Sequence, residues 1–209
     1  MEENSILLRG QALERPAFSH ESHGKRFDLL PLRVARLSGA WDTLNLLLPA
    51  ELSAGVEPGE FYEIEGEVRS FNNRSGLGSR LVITVYVRAL RPCDEKGENL
   101  LSLTGTLCKQ PIHRYTPLGR EISDLMLAVP RRYGRSDYLP CIAWGSLAHR
   151  CAEKTTGDRM GLSGRLQSRE YQKRVQDQTL ERTAFEVSVM SLAGDAEGEE
   201  PYLAFMASL

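Results

Sequence analysis

The chain has 209 residues, 41% of them hydrophobic and 26% charged, which is ordinary for a globular protein and excludes a collagenous, coiled-coil or wholly disordered one. Its formal net charge of −2 excludes a protein basic all over, yet the charge is unevenly spread: residues 1–100 hold 12 Lys+Arg against 15 Asp+Glu, residues 101–192 hold 14 against 9, and residues 193–209 hold 4 acids and no base. No run approaches about eighteen apolar residues, and the opening MEENSILLRG is acidic where a secretion signal would be basic, so a cytoplasmic protein is expected.

In chain order, the first half offers LLPLRV, GEVRSFNNRSG and LVITVYV as strands, with SHESHGK as a turn loop and GLGS (76–79) as a hairpin turn. Trp41, beside the turn at Gly39, could stack on a base, with packing the favoured reading. The second half begins with the strand LLSLTGTLC, followed by PIHRYTPLGREI as a loop with Pro and Gly turn chemistry. SDLMLAVPRR is its second strand and DYLPCIAW its third. GSLAHRCAEKTT has helical spacing, with Gly157 as its C-cap. RMGLSGRLQSREY and TAFEVSVMSL are strands four and five, divided by the polar loop QKRVQDQTLE. The segment 193–209, acidic and then apolar, is expected to pack rather than to trail as a free tail.

The halves repeat. At an offset of 95, LRGQALERP overlies LTGTLCKQP, and Gly24, Leu30, Leu32, Val34, Arg36, Gly39 and Asp42 overlie Gly119, Leu125, Leu127, Val129, Arg131, Gly134 and Asp137. At an offset of 98, Gly59, Gly66 and Ser70 meet Gly157, Gly164 and Ser168. A shift of three in a connection is what a duplicated domain tolerates. Five strands with a helix between the third and fourth is the element order of the OB-fold. The expected fold is therefore all-β, two tandem OB-folds (five-stranded Greek-key barrels, each with a short helix between strands 3 and 4). Its domains are 1–95, 100–192 and a short C-terminal segment 193–209.

Strand alternation puts Tyr138, Pro140, Ile142 and Trp144 on one face of the second copy's third strand, and Arg165, Gln167, Arg169 and Tyr171 on one face of its fourth. Rings beside cations recur: Tyr133 lies among Arg131, Arg132 and Arg135, and Tyr171 among Arg169, Lys173 and Arg174. Such a surface suits single-stranded nucleic acid, since flat rings stack on unpaired bases and guanidiniums neutralise phosphates.

Here residues 101–192 resemble the bacterial single-stranded DNA-binding protein family, through LTGTLCKQP, GREISDLMLAVPRR, DYLPCIAWGSLAHRC and GRLQSREY. The family's third strand ends in an aromatic followed by Gly-x-Leu-Ala, which WGSLAH matches. The resemblance implies four base-stacking positions, Tyr133, Tyr138, Trp144 and Tyr171, and association with the nucleoid when DNA is bound. It also implies a homodimer, because the family commonly assembles four OB-folds and this chain carries two. Pro140 departs from the family's polar or basic residue, and the long glycine-rich, acidic-tipped tail has no counterpart in GDAEGEEPYLAFMASL. In the first copy the positions of Tyr133, Tyr138 and Trp144 hold Ser38, Thr43 and Pro49, so that copy reads as structural, oligomerising or weakly binding.

No catalytic motif is visible, and neither enzyme activity nor a cofactor is expected. His20 and His23 lack companions for a tetrahedral metal set, and Cys93, Cys108, Cys141 and Cys151 form no CxxC pair, reading as reduced structural thiols. Two function classes stay open: a sequence-independent coat for single-stranded DNA in replication, recombination or repair, and a scaffold module of a primosome or recombination complex. A nuclease would need clustered acids or histidines that the chain does not offer.

Overall fold

A computed structural model describes residues 4–36, 38–73, 79–94, 97–131, 134–175 and 178–194, and of residues 173–175 and 178–180 the backbone alone. The chain divides into two compact units. One holds Ser5–Arg69 and Leu81–Asn99, the other the described residues of Met1–Asn4, Ser70–Arg80 and Leu100–Leu209.

The first unit is built from β1 (Asn4–Ala12), β2 (Ala17–Ser22), β3 (Lys25–Ala35), β4 (Trp41–Pro49), β5 (Phe61–Asn72, whose end from Ser70 on belongs to the other unit) and β6 (Leu81–Pro92). Their order is β2-β3-β4-β6-β5-β1, and β1 closes the barrel onto β3 through Gln11↔Arg33 and Ala12↔Leu32. The contact β4–β6 is parallel, centred on Leu46↔Val85. Strict alternation explains the core: Leu30, Leu32 and Val34 on β3 and Leu44, Leu46 and Leu48 on β4 point inward and are fully buried. Each such side chain contributes about 1.5–3 kcal/mol of burial.

The second unit repeats the plan with β7 (Glu98–Leu107), β8 (Ile112–Tyr115), β9 (Glu121–Pro130), β10 (Ser136–Trp144), helix α1 (Ser146–Ala152), β11 (Arg159–Val175) and β12 (Gln178–Leu192). The order is β7-β11-β12-β10-β9-β8, β7 closes onto β9 through Thr106↔Ala128, and β10–β12 is parallel at Cys141↔Val187. Both units are OB barrels, and the sequence repeat is expressed as register. Ile6↔Gly66 in β1–β5 becomes Leu101↔Gly164 in β7–β11, each partner displaced by its own offset of 95 or 98.

The repeated glycines have a steric reason. A Cβ on Gly66 would strike the carbonyl of Tyr86, and one on Gly164 the carbonyl of Ser188, so both are sites of close backbone approach. Gly157 is not the cap of a helix: α1 ends at Ala152, while Gly157, at φ +99°, donates its N–H to the Leu107 carbonyl at 2.8 Å. Gly59 does the same to Ala12 at 2.8 Å. This pair turns the chain into each fourth strand with a backbone conformation that side chains resist.

Other details depart from the sequence expectation. PIHRYTPLGREI is not all loop, because Ile112–Tyr115 forms β8, a hairpin arm on β9, and Ala17–Ser22, including His20, forms its counterpart on β3. The polar stretch QKRVQDQTLE is largely strand: Arg169 to Val175 ladder against Gln178 to Ala184 as one long arm. Cross-strand hydrogen bonds hold it without an apolar pattern. In the first copy the helix is reduced to a single 3₁₀ turn, Ala50–Leu52. The GLGS turn, except Ser79, and the packing expected of residues 195–209 lie outside the described residues.

Candidate nucleic-acid interface

β10 carries the centre of the candidate site. Leu139, Cys141 and Ala143 are buried in the barrel, and burial pushes the Cys141 thiol far above its ordinary range. The alternate residues face outward. Tyr138 is 48% exposed at one end and Trp144 38% at the other, about 20 Å apart at the rise of a strand. Between them Pro140 is half-buried and Ile142 buried.

Register extends this face sideways. Ile142 lies beside Ser188 on β12, and Ser188 beside Arg165 on β11, so one row crosses three strands from the rings to a cation. Along β11 the outward residues continue as Gln167, Arg169 and Tyr171. Gln167 Nε2 donates to Glu186 Oε1 at 3.0 Å, Arg169 Nε lies 3.6 Å from Glu186 Oε2, and the Arg169 guanidinium stands 5.8 Å from the Tyr171 ring centre. Arg165 has no carboxylate partner among the described residues, and Arg135 is exposed beyond β9.

Arg131 is placed otherwise. Its Nε donates to Asp137 Oδ2 at 2.5 Å, its Nη2 donates to Asp137 Oδ1, and the same Nη2 donates to the Ser70 carbonyl at 2.8 Å. Asp137 is fully buried, and its Oδ1 also accepts the Ser70 N–H. Ser70, which belongs to the same compact unit, accepts the Tyr138 N–H on its Oγ at 2.7 Å. Arg131 thus fixes the start of β10, and with it the ring of Tyr138. Arg132 and Tyr133 lie outside the described residues, as do the side chains of Lys173 and Arg174, whose backbones continue β11.

α1 seats the other end of β10. Gly145 follows Trp144 at φ +56°, and the Ser123 hydroxyl donates to the Ala148 carbonyl at 2.7 Å, with Ala148 and Cys151 buried. The helix holds the end of the strand while the Trp144 ring stays outside.

The equivalent face of the first unit is organised differently. Glu63 pairs with Arg9 (2.7 Å) and Arg91 (3.0 Å), Glu65 with Arg91, and Glu67 with Arg69 and Arg88, so carboxylates occupy these four cations. The two arginines hold the Glu63 carboxyl below its ordinary value. Arg36 and Asp42 form the counterpart of Arg131 and Asp137, at 2.5 and 2.8 Å. Thr43 and Pro49 stand where Tyr138 and Trp144 stand in the second copy, their strand partners Arg33 and Phe27 matching Ala128 and Ile122.

Sequence reasoning favoured the wrong role for one residue and missed one group. Trp41 is not a packing residue: it is 44% exposed, and the alternation that sends Asp42 inward with Leu44 and Leu46 already turns it out. On the β8 arm and its turn, Ile112, Tyr115 and Leu118 are exposed, a set hidden in the sequence by the Pro and Gly around it. Among the described residues there is no cluster of three or more metal-ligating side chains, no cysteine is in a disulfide, and no helix is long and apolar enough to cross a membrane.

Comparison with known proteins meets this geometry. Residues 98–193 match the model of the single-strand binding protein family. The single-stranded DNA-binding protein of Clostridium tetani is 35% identical over 81 residues, which are 35% of this chain and 56% of that one. Single-stranded DNA-binding protein 3 of Clostridium acetobutylicum is 36% identical over 80 residues, again 35% and 56%. The chain spans about half the length of these curated relatives. Over the whole molecule, the wild-type single-stranded DNA binding protein from Thermus aquaticus superposes with a TM-score of 0.74 at 23% identity, covering 95% of this chain and 98% of that one, a likeness of fold across both barrels.

Proposed function

We propose that the chain binds single-stranded DNA without regard to sequence, as a non-catalytic coat in replication, recombination or repair, a reading supported by the match of residues 98–193 to the single-strand binding protein family model. The observation that carries this reading is the pair of outward rings, Tyr138 and Trp144, at the two ends of one strand whose outer face runs on to Arg165, Arg169 and Tyr171. Rings 20 Å apart suit a flexible strand that lays successive bases across a sheet, and cations beside them suit its phosphates. Tyr133, Arg132, Arg135, Lys173 and Arg174 are further contacts in this proposal, with Arg131 acting by positioning Tyr138.

The copies are taken as 1–95 and 100–192, followed by the segment 193–209. Two barrels per chain make a homodimer the natural route to four, closed two-fold symmetry being the commonest assembly. The protein then works in the cytoplasm, on exposed strands of the nucleoid.

Titration of tryptophan emission with poly-dT tests the reading. Quenching with affinity that falls steeply from low to moderate salt is expected, and duplex of the same length should bind far more weakly because pairing hides the base faces. Binding indifferent to salt, or equal for duplex, would favour the scaffold function instead.

A further inference from the structure

Eight arginines belong to the described residues of the first unit, and seven are paired with a carboxylate: Arg9, Arg15, Arg26, Arg36, Arg69, Arg88 and Arg91. The exception is Arg33. Its guanidinium instead lies 4.2 Å above the ring of Trp41, the exposed tryptophan at the start of β4. Register makes the two close neighbours, since Trp41 is opposite Ala35 and Arg33 opposite Thr43 on adjacent strands.

Their surroundings select for an anion beside a flat apolar partner. The outward residues of β3 and β4 on this face are Leu29, Pro31, Arg33, Ala35, Trp41, Thr43, Asn45 and Leu47, with no carboxylate among them. Beyond Leu47 lies Tyr86 of β6, again not a carboxylate. Among the described residues, a barrel that neutralises its other arginines thus leaves one arginine without a carboxylate, against its one exposed tryptophan, on the sheet face that carries Tyr138 and Trp144 in the second barrel.

We propose that Trp41 and Arg33 form a second, independent contact for single-stranded DNA, Trp41 stacking on an unpaired base and Arg33 meeting the adjacent phosphate. This contact rests on the function proposed above, and it is displaced by two residues from the position of Thr43, the counterpart of Tyr138. The first barrel then contacts DNA in its own right.

The chain has two tryptophans, so Trp144→Phe leaves Trp41 as the sole emitter while retaining an aromatic plane on β10. Emission is followed to saturating poly-dT, with anisotropy of a labelled dT oligonucleotide reporting binding separately. The expected result is clear quenching of Trp41 at saturation, and a loss of roughly tenfold in affinity for long oligonucleotides in Arg33→Ala or Trp41→Ala, with short ones unaffected. DNA bound by anisotropy with Trp41 emission unchanged overturns this contact and leaves the function standing. No anisotropy change in the wild type overturns the function and this contact together. Should Trp144→Phe itself fail to bind, Trp41→Phe in the wild-type chain decides: an undiminished quench refutes the contact, a reduced one supports it. Emission that shifts with protein concentration alone would mark the face as a contact between copies and also refute it.

Discussion

The two barrels share nearly everything that holds them together and little of what they present outward. Inside, Arg36–Asp42 answers Arg131–Asp137, Gly66 answers Gly164, and Leu46↔Val85 answers Cys141↔Val187. Outside, Thr43 and Pro49 answer Tyr138 and Trp144, and a network of glutamates faces the arginines of β5 and β6. A strand assigns alternate residues to stability and to surface, so one set can be held fixed while the other changes. The difference between the copies is confined to the set that does not build the barrel.

Removing the shared buried acid should have the largest effect, and the same one in both barrels. Asp137→Ala leaves Arg131 facing the Ser70 carbonyl without its counter-charge, and Asp42→Ala strands Arg36; each should cost about 3 kcal/mol in urea unfolding, with Trp144 and Trp41 emission reporting locally. A cost below about 1 kcal/mol in either barrel would break the equivalence. Next, the positions held by Tyr138 and Trp144 should respond in one barrel only. Trp144→Ala should weaken dT-oligonucleotide binding by about 1–3 kcal/mol, read by anisotropy, whereas Thr43→Ala should leave it unchanged. Equal losses would mean that the faces have not diverged.

The glycines at the close approaches should again behave alike. Gly66→Ala and Gly164→Ala each drive a methyl into a strand carbonyl, and thermal unfolding should register about 1–3 kcal/mol for both. The smallest effect separates the barrels by pH. Glu63 has a folded pKa held below its ordinary 4.5 by Arg9 and Arg91, so its contribution is present above that value and is lost as pH falls through the lower folded one. It amounts to a few tenths of a kcal/mol, because the partner Arg91 is exposed and water screens the pairing. Stability curves of wild type and Glu63→Gln should therefore differ at neutral pH and converge in acid, and curves that stay parallel down to low pH would count against the pairing.

The duplicated barrel was legible because Gly, Leu and the Arg–Asp pair recur at fixed offsets, and close packing tolerates few substitutes at such places. Tyr138 and Trp144 were placed correctly by alternation alone, since the Leu139, Cys141, Ala143 set has nowhere to go but inward. The same rule applied to Asp42, Leu44 and Leu46 would have turned Trp41 outward; judging that ring by its nearness to the Gly39 turn missed the inward aspartate. The long arm from Arg169 to Val175 was invisible because its sequence has no alternation of apolar residues, and its strand conformation rests on backbone pairing with β12. Arg131 reads from sequence as a surface cation. Only the fold brings Asp137 and Ser70 around it.

The offsets between the copies have one more consequence. Between Gly66 and Val85 the separation from the second copy grows from 98, set by Gly164, to 102, set by Val187, just as the earlier step from 95 to 98 falls between Asp42 and Gly59. Ancestral insertions or deletions were thus admitted twice, each time between strands whose pairings kept their register. These two intervals are natural ports for engineering: an affinity handle, a fluorophore-bearing loop or a fused binding module belongs there, where the molecule has already accepted changes of length without rewriting either barrel.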